Sequence, residues 1–295
     1  MRKSFFDTLT EVATKDNKVI FLTADLGFGF VENYIRNCPS QFLNVGVSEQ
    51  AMLGLANGLA ISGKKVICYS IAAFSLVRPF EFFRNGAIAQ NSAVMVVGVG
   101  PGFDYSQDGI SHYCLEDLAI MQSQPGVSIQ TPFTTEAVRE SIEKYVSNPK
   151  PTYLRLPRTI DKLKINDLQV TEPKSVDVLI LCTALMGKRA HRIAEKLKEI
   201  GQESIIGSTH EISANADKRI LEHLKYAKKV LVIEDHYEFG GIGTRINELV
   251  SFNRLETQVI KDGVIVIPRG TIGDFSYMED KIMKKIEVVI DLLNG

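Results

Sequence analysis

Short apolar runs alternate with longer amphipathic stretches along the first half of the chain. The apolar runs predict strands at 18–24, 42–47, 65–72, 93–100, 127–131 and 152–156. The amphipathic stretches predict helices at 1–16, 48–62, 76–91, 115–122 and 134–147. Because the apolar runs are continuous rather than alternating, they are typical of a mainly parallel sheet that is covered on both faces. The first half is therefore predicted to be an α/β domain.

The second half repeats this order after a polar segment with prolines at both ends. Strands are predicted at 177–183, 203–207, 229–235 and 263–268, and helices at 187–200, 214–227 and 279–293. The fold class predicted is two successive α/β domains with mainly parallel sheets. The domains are predicted at 1–157 and 176–295, with a linker over 158–175.

The composition narrows the classes of partner. The 295 residues contain 34 Lys plus Arg and 35 Asp plus Glu, a net charge of -1, which gives no basic field for nucleic acid or anionic lipid. The chain also has no apolar run of the roughly 18–20 residues that a membrane span requires. We expect neither a nucleic acid nor a membrane as partner. Few and scattered cysteines suit a reducing compartment, here taken as the cytoplasm: Cys38, Cys68, Cys114 and Cys182.

Candidate chemistry gathers where the predicted strands end. Open parallel sheets bind ligands beyond the carboxyl ends of their strands. Asp25 follows the first strand, Glu49 the second and Phe74 the third, while Asp108 and His112 follow the fourth. The sequence therefore predicts a site at this edge of the first sheet.

Glu49 heads the stretch "NVGVSEQAMLGLANGLA" and has two interpretations. Behind Ser48, a candidate N-cap, it is an acid in a first helical turn, favoured by the helix dipole. The residues after it predict a helix that is buried nearly all round, in which a carboxylate needs a partner. These residues are Ala51, Met52, Leu55, Ala56, Leu59 and Ala60.

Two loops remain ambiguous on their residues alone. The stretch 98–113 is rich in glycine and long for a connection between strand and helix, which favours a functional loop. It matches neither a dinucleotide fingerprint nor a P-loop, and a lone histidine such as His112 is more often a hydrogen-bonded structural residue. The stretch 233–243, "IEDHYEFGGIG", contains His236 and is either catalytic or a tight turn that closes the second domain against a neighbour.

Six motifs, in this order, resemble the C-terminal half of transketolase over essentially the whole chain. That half comprises a pyrimidine-binding domain and a C-terminal domain. The motifs are "ADL" (24–26), "NVGVSEQAMLGLANGLA" (44–60), "IAAF" (71–74), "DGISHYCLEDLA" (108–119), "PTYLRLPR" (151–158) and "VIEDHYEFGGIG" (232–243).

The resemblance implies a role for each motif residue. Glu49 matches the acid that contacts the aminopyrimidine of thiamine diphosphate, and Phe74 matches the aromatic residue that stacks on that ring. Asp25 matches a carboxylate near the cofactor. His112 matches a histidine that hydrogen-bonds the substrate, and Asp108 matches a carboxylate that binds a sugar hydroxyl. Glu49 and His112 are the residues that we expect to be catalytic.

The resemblance is weaker at the predicted phosphate site. Arg2 and Arg158 fall where family members hold the phosphate of the substrate, a role that suits a planar guanidinium. Many transketolases carry a serine and a histidine for the same phosphate, whereas this chain has Gly29 and Gly100. A modified, nucleotide-linked or unphosphorylated sugar therefore stays open beside a sugar phosphate.

The resemblance further implies a split enzyme. The diphosphate-binding segment of the family is not found in these 295 residues. We therefore expect a partner subunit, the transketolase N-terminal chain, which binds the diphosphate of the shared cofactor through Mg2+ or Ca2+. The assembly expected is an α2β2 heterotetramer, and the reaction expected is transfer of a two-carbon ketol unit from a ketose to an aldose.

Three alternatives remain. The β subunit of a 2-oxo acid dehydrogenase has the same two domains, but the string "DGISHYCLEDLA" fits recognition of sugar hydroxyls better. Deoxyxylulose-phosphate synthase shares the domains too, usually in a single chain. A non-catalytic paralogue would keep the fold and lose the site; the presence of Glu49, Phe74, Asp108 and His112 together disfavours it.

Overall fold

The first sheet is parallel through six of its strands. A computed structural model describes residues 1–160 and 162–295. The six strands pair in parallel in the spatial order β5-β6-β4-β3-β1-β2. They are β1 (Val19–Thr23), β2 (Phe42–Asn44), β3 (Lys65–Ile71), β4 (Val94–Val99), β5 (Ser128–Gln130) and β6 (Thr152–Leu156). Each lies within an apolar run that predicts a strand.

Helices cover both faces of this sheet. They are α1 (Arg2–Lys15), α2 (Glu32–Asn37), α3 (Glu49–Ile61), α4 (Phe80–Phe82), α5 (Asp117–Gln122) and α6 (Thr135–Ser147). The prediction of one helix over 76–91 is wrong in detail. Two wide π turns, Ala73–Val77 and Phe83–Ile88, flank the short α4. Pro79 lies between them and has no amide hydrogen to continue a helical ladder.

The second sheet is parallel throughout the described residues, in the order β12-β11-β8-β9-β7. Its strands are β7 (Asn166–Asp167), β8 (Val176–Cys182), β9 (Ser204–Ser208), β11 (Ala227–Tyr237) and β12 (Gln258–Val264). Its helices are α7 (Gly187–Glu199), α8 (Ala214–Leu224), α9 (Ile242–Phe252), α10 (Phe275–Ile282) and α11 (Ile286–Asn294). The two α/β sheets confirm the predicted fold class.

Three local predictions in this half need correction. The range 158–175, predicted as a linker, contains β7, and Leu168 is fully buried in the second core. Asp161 of that range lies outside the described residues. The strand predicted at 263–268 is β12, which begins earlier, at Gln258, and ends at Val264. Its paired residues include the polar Lys261 and Asp262, which the apolar pattern left out. The helix predicted at 279–293 is divided between α10 and α11.

The two domains share structure across their boundary. A short strand from the second half, β10 (Glu211–Ile212), pairs antiparallel with β5 of the first sheet. The loop after β4 reaches the other way, and its Phe103 and Tyr113 are buried in the core of the second domain. These exchanges fix the loop that carries Asp108 and His112 against both domains.

Candidate active site

Glu49 is a buried acid at the first position of α3. Its side chain is only 2 % exposed. Arg78 Nη1 donates a hydrogen bond to Oε2 at 2.7 Å, and the Ser70 hydroxyl lies 3.4 Å from Oε1. Ser48 occupies the N-cap position, but its side chain makes no capping hydrogen bond. The carboxylate therefore has a specific side-chain partner, which a purely dipolar role would not require.

The first π turn places Phe74 and Arg78 on the same side of the site. The turn is closed by a 3.1 Å hydrogen bond from the Arg78 amide to the Ala73 carbonyl. The Arg78 guanidinium lies over the Phe74 ring, 4.2 Å from its centroid. The His112 ring contacts the Phe74 ring in an edge-on arrangement, with the two ring centroids 4.9 Å apart. Arg78 thus joins Glu49 to Phe74, and Phe74 joins both to His112 in one cluster.

Asp25 lies at the end of β1 and faces β2. Its backbone is left-handed, with φ of 54°, a conformation that aspartate tolerates better than most residues. The Asn44 amide donates to its carboxylate at 3.1 Å, and the same side chain accepts from the Asp25 amide at 2.9 Å. Asn44 holds this turn in shape, whereas no contact in the described residues links Asp25 directly to Glu49.

Asp108 and the two predicted phosphate arginines lie around Tyr105. Asp108 is exposed at the end of a 3-10 turn, Ser106–Asp108. The Arg2 guanidinium lies over Phe30, 4.8 Å from its centroid. Arg158 is held from within the chain, because its Nε and one Nη donate to the carboxylate and carbonyl of Asp104. Two of its five N–H donors are thus engaged with Asp104, and the hydrogens on the other Nη stay available to a ligand.

One face of α3 is open in this chain. The sequence predicted a helix buried nearly all round, but several of its residues are exposed because no neighbouring element of the described chain covers them. They are Gln50, Ala51, Gly54, Leu55, Gly58 and Ile61. Val47 and Phe82 extend this apolar surface. We call this set the α3 face; it begins at the turn that carries Glu49.

The stretch 233–243 packs the second domain against the first. His236 is fully buried, its Nε2 accepts from the Ala119 amide at 3.2 Å, and its Nδ1 lies 2.6 Å from the Tyr237 carbonyl. Burial lowers the pKa of His236, so that the ring is neutral at pH 7. Gln122 donates to the Gly240 carbonyl at 2.7 Å. Of the two interpretations of this motif, these contacts favour the closing turn.

A cavity of about 740 Å³ lies between the domains, away from Glu49. Arg158 and Asp104 line one wall, and His191 and Arg192 of α7 line another. Its charges are largely paired within the chain, Arg158 with Asp104 and Arg192 with Glu279. We place the candidate active site at the Glu49 cluster, where a buried carboxylate lies beside an uncovered surface.

Comparisons with known proteins show which family each domain matches. Residues 1–161 match the family model of the transketolase pyrimidine binding domain, and residues 168–270 match that of the transketolase C-terminal domain. An apulose-4-phosphate transketolase subunit from Phocaeicola vulgatus is 28 % identical, over 88 % of this chain and 86 % of its own length. A putative transketolase C-terminal section of Methanocaldococcus jannaschii is 30 % identical, over 90 % and 86 %.

The structure has a close counterpart among solved structures. A protein described as a split gene transketolase, inactive beta4 tetramer, superposes with a TM-score of 0.81 at 24 % identity, over 99 % of this chain and 96 % of that one. The family matches define a class of α/β proteins for which use of thiamine diphosphate is implied. Within that class the chain belongs to the transketolase family, and its relatives are split transketolase subunits.

The site residues fit the pyrimidine half of that cofactor. A carboxylate can hydrogen-bond a ring nitrogen, and Oε1 of Glu49 has only the weak Ser70 contact to lose. Phe74 is half-buried and offers an aromatic face close to that acid. Sequence reasoning missed Arg78 and Ser70, which only the fold brings to Glu49. The cation at 78, four residues after Phe74, was the one available signal.

Proposed function

We propose that this chain is the catalytic C-terminal subunit of a split transketolase, which transfers a two-carbon ketol unit from a ketose to an aldose at a site completed by a partner chain. The buried carboxylate of Glu49, beside Phe74 at the open α3 face, is the observation that carries this proposal. Relatives named as transketolase subunits support the reaction class.

Glu49 acts on the cofactor and not on the sugar. Thiamine diphosphate, when bound, supplies the carbon that accepts the ketol unit. The Glu49 carboxyl binds the pyrimidine ring nitrogen and holds or releases a proton at that atom. Arg78 fixes Oε2 and thereby aims Oε1 at the ring, while Phe74 positions the ring by stacking.

His112 and Asp108 orient the sugar. The His112 Nδ1 lies 3.0 Å from the Ser111 hydroxyl, which leaves Nε2 to face the substrate. The Asp108 carboxylate accepts no hydrogen bond from any residue that the structure describes. It can therefore accept one from a sugar hydroxyl. Both lie on the loop that is anchored in the second domain, which limits their movement during catalysis.

The partner subunit covers the α3 face. Apart from Gln50, this face consists of small and apolar residues, so that a second chain can approach the helix backbone closely. It adjoins the acid that the reaction needs. The partner supplies the diphosphate-binding domain and its Mg2+ or Ca2+. We propose an α2β2 assembly in the cytoplasm; the four cysteines, all free and buried, suit a reducing compartment.

Reconstitution tests this proposal. The chain is purified alone and together with the transketolase N-terminal chain encoded nearest to it, then supplied with thiamine diphosphate, Mg2+ and ketose–aldose pairs. We expect ketol transfer by the mixture of the two chains and none by this chain without its partner. Full activity of the single chain would refute the need for a partner. Turnover of 2-oxo acids with an artificial electron acceptor, and not of sugars, would assign the dehydrogenase reaction instead.

A further inference from the structure

Tyr105 lies at the centre of the predicted substrate residues without being one of them. The Arg158 guanidinium covers one face of its ring at 4.2 Å from the centroid. The His112 ring lies on another side, with centroids 6.3 Å apart. Phe74 contacts His112 but not Tyr105, so the order Phe74, His112, Tyr105 leads away from the cofactor end of the site.

Gly100 makes room for this tyrosine. Gly100 has a left-handed φ of 63°, and a Cβ built at this position would collide with the Tyr105 ring. Any side chain at 100 would have to displace the ring. The space in front of the end of β4 is therefore occupied by Tyr105, whereas a larger residue at 100 would occupy it in a chain without this tyrosine.

The Tyr105 hydroxyl is left without a partner. It makes no hydrogen bond with any residue in 1–160 or 162–295, although the ring is half-buried. Burial raises the pKa of Tyr105, and the nearby cations Arg158 and Arg2 and anions Asp104 and Asp108 act on it in opposite directions. The phenol thus keeps its proton at neutral pH and can donate.

Arg2 adds a buried donor to this region, whereas the Tyr105 hydroxyl is accessible to solvent. Its Nε is buried and has no hydrogen-bond partner among the described residues. Its charge lies close enough to influence both Tyr105 and Tyr69. Buried polar groups without partners are uncommon in folded proteins and mark places where a ligand or water completes the hydrogen bonds.

We propose that Tyr105 is a specificity-determining residue, whose hydroxyl donates a hydrogen bond to an oxygen at the end of the substrate remote from the cofactor. This inference rests on the proposed function for the identity of the substrate as a sugar. The oxygen belongs to a hydroxyl or a phosphoryl group; both accept a hydrogen bond from a phenol. Two residues position the Tyr105 ring. Gly100 leaves space for it, and the Arg158 guanidinium covers one of its faces.

The substitution Tyr105→Phe isolates the hydroxyl. The ring, its packing against Gly100 and its contact with Arg158 all remain, and no internal hydrogen bond is lost, so the thermal midpoint should not change. Tyr226→Phe is the matched control, because it removes one hydroxyl from an exposed tyrosine at the opposite edge of the second domain.

The first measurement uses the reconstituted holoenzyme and its best ketose–aldose pair. Tyr105→Phe should raise KM for one sugar roughly five- to tenfold, as expected for one lost hydrogen bond, with kcat within about twofold. Comparing ribose with ribose 5-phosphate as acceptor distinguishes the sources of the oxygen. A loss confined to ribose 5-phosphate assigns a phosphoryl oxygen, and a loss for both assigns a hydroxyl. Unchanged KM values for both sugars would overturn the proposal.

The second measurement separates this inference from the proposed function. If the mixture transfers no ketol unit, the proposed function fails, and Tyr105 is then judged by saturation-transfer NMR of ribose and ribose 5-phosphate on the full chain. A signal that weakens in Tyr105→Phe and persists in Tyr226→Phe supports the assignment. Equal signals in both variants, or no signal with the native chain, refute it.

Discussion

Two arginine–carboxylate groups of this chain use the same chemistry in opposite settings. At the domain boundary, Arg155 binds Asp117 at 2.7 Å and Asp235 at 3.0 Å, and all three side chains are at most 3 % exposed. At the candidate active site, Arg78 binds Glu49 at 2.7 Å, but the arginine is 44 % exposed. The first group is closed, while the second keeps one side open to a ligand.

The exposure of the arginine distinguishes a structural ion pair from a functional one in these two groups. Arg155 comes from β6, Asp117 from α5 and Asp235 from β11, so their contacts join the two domains. Neither carboxylate can leave the arginine without remaining as a buried charge. Arg78, by contrast, is partly exposed, so that water already solvates one side of its guanidinium, whereas Glu49 is buried and depends on Arg78 or a ligand to compensate its charge.

The largest effect is expected from opening the closed group. Arg155→Leu leaves Asp117 and Asp235 buried without their cation and should lower the free energy of unfolding by about 3–5 kcal/mol. Chemical denaturation of the purified chain measures it. Arg139→Ala is the control, since Arg139 and its partner Glu11 are both exposed and solvent screening leaves their pair little effect on stability. Equal losses in the two variants would remove the distinction.

The next effect concerns the acid of the open group. Glu49→Gln keeps the volume and removes the charge, so the holoenzyme should lose at least about 100-fold in kcat, near 2.7 kcal/mol of transition-state stabilisation. The free energy of unfolding should change by less than about 1 kcal/mol. Steady-state kinetics and denaturation are measured on the same preparation. Near-native turnover would exclude Glu49 from catalysis and contradict its assigned role.

A fourth buried acid, Glu234, extends the comparison, because it has no arginine bound to it. Glu234 is fully buried and accepts hydrogen bonds from the Ile242 and Gly243 amides at the start of α9, at 2.7 and 3.1 Å. Burial raises the pKa of Glu234 to about 7 against these hydrogen bonds. The folded state therefore holds a proton that the unfolded state has already released above about pH 4.5.

This acid predicts a stability that falls as the pH rises. Between pH 5 and 7 the folded chain binds the extra proton, so the contribution of Glu234 to the free energy of unfolding decreases by about 1 kcal/mol per pH unit, roughly 2 kcal/mol in all. Denaturation curves of the native chain and of Glu234→Gln are compared at each pH. Their difference in free energy of unfolding isolates the contribution of Glu234. A difference that is constant across this range would contradict the shifted pKa.

The sequence predicted the position of Glu49 better than that of its partner. Continuous apolar runs were enough to place Glu49 and Phe74 at strand ends, because parallel pairing brings those ends to one edge. Arg78 reaches Glu49 through a π turn, whose i to i+5 hydrogen bond has no signature in the apolar period. Arg155 meets Asp235 across 80 residues of chain, a contact that depends on domain docking. The predicted bounds of β12 lie too far along the chain, because Lys261 and Asp262 interrupt its apolar pattern.

The smallest effect is expected at Arg78, and it decides what the open pair is for. Arg78→Ala removes the hydrogen bond to Oε2 and the contact with Phe74 and should lower kcat/KM about tenfold, because a half-exposed arginine is partly replaced by water. Arg78→Lys keeps the charge but not the fork, so an intermediate loss is expected. Cofactor affinity, titrated in the presence of the partner chain, should weaken in the same order.

The contrary outcome is equally informative about this pair. If Arg78→Ala leaves both kcat/KM and cofactor affinity unchanged while Glu49→Gln abolishes turnover, Arg78 only neutralises the buried carboxylate until the cofactor arrives. The open pair would then resemble the closed one in purpose, since each arginine would do no more than compensate a buried acid. A tenfold loss in Arg78→Ala, with the thermal midpoint preserved, assigns the arginine to positioning instead and leaves compensation to Arg155 alone.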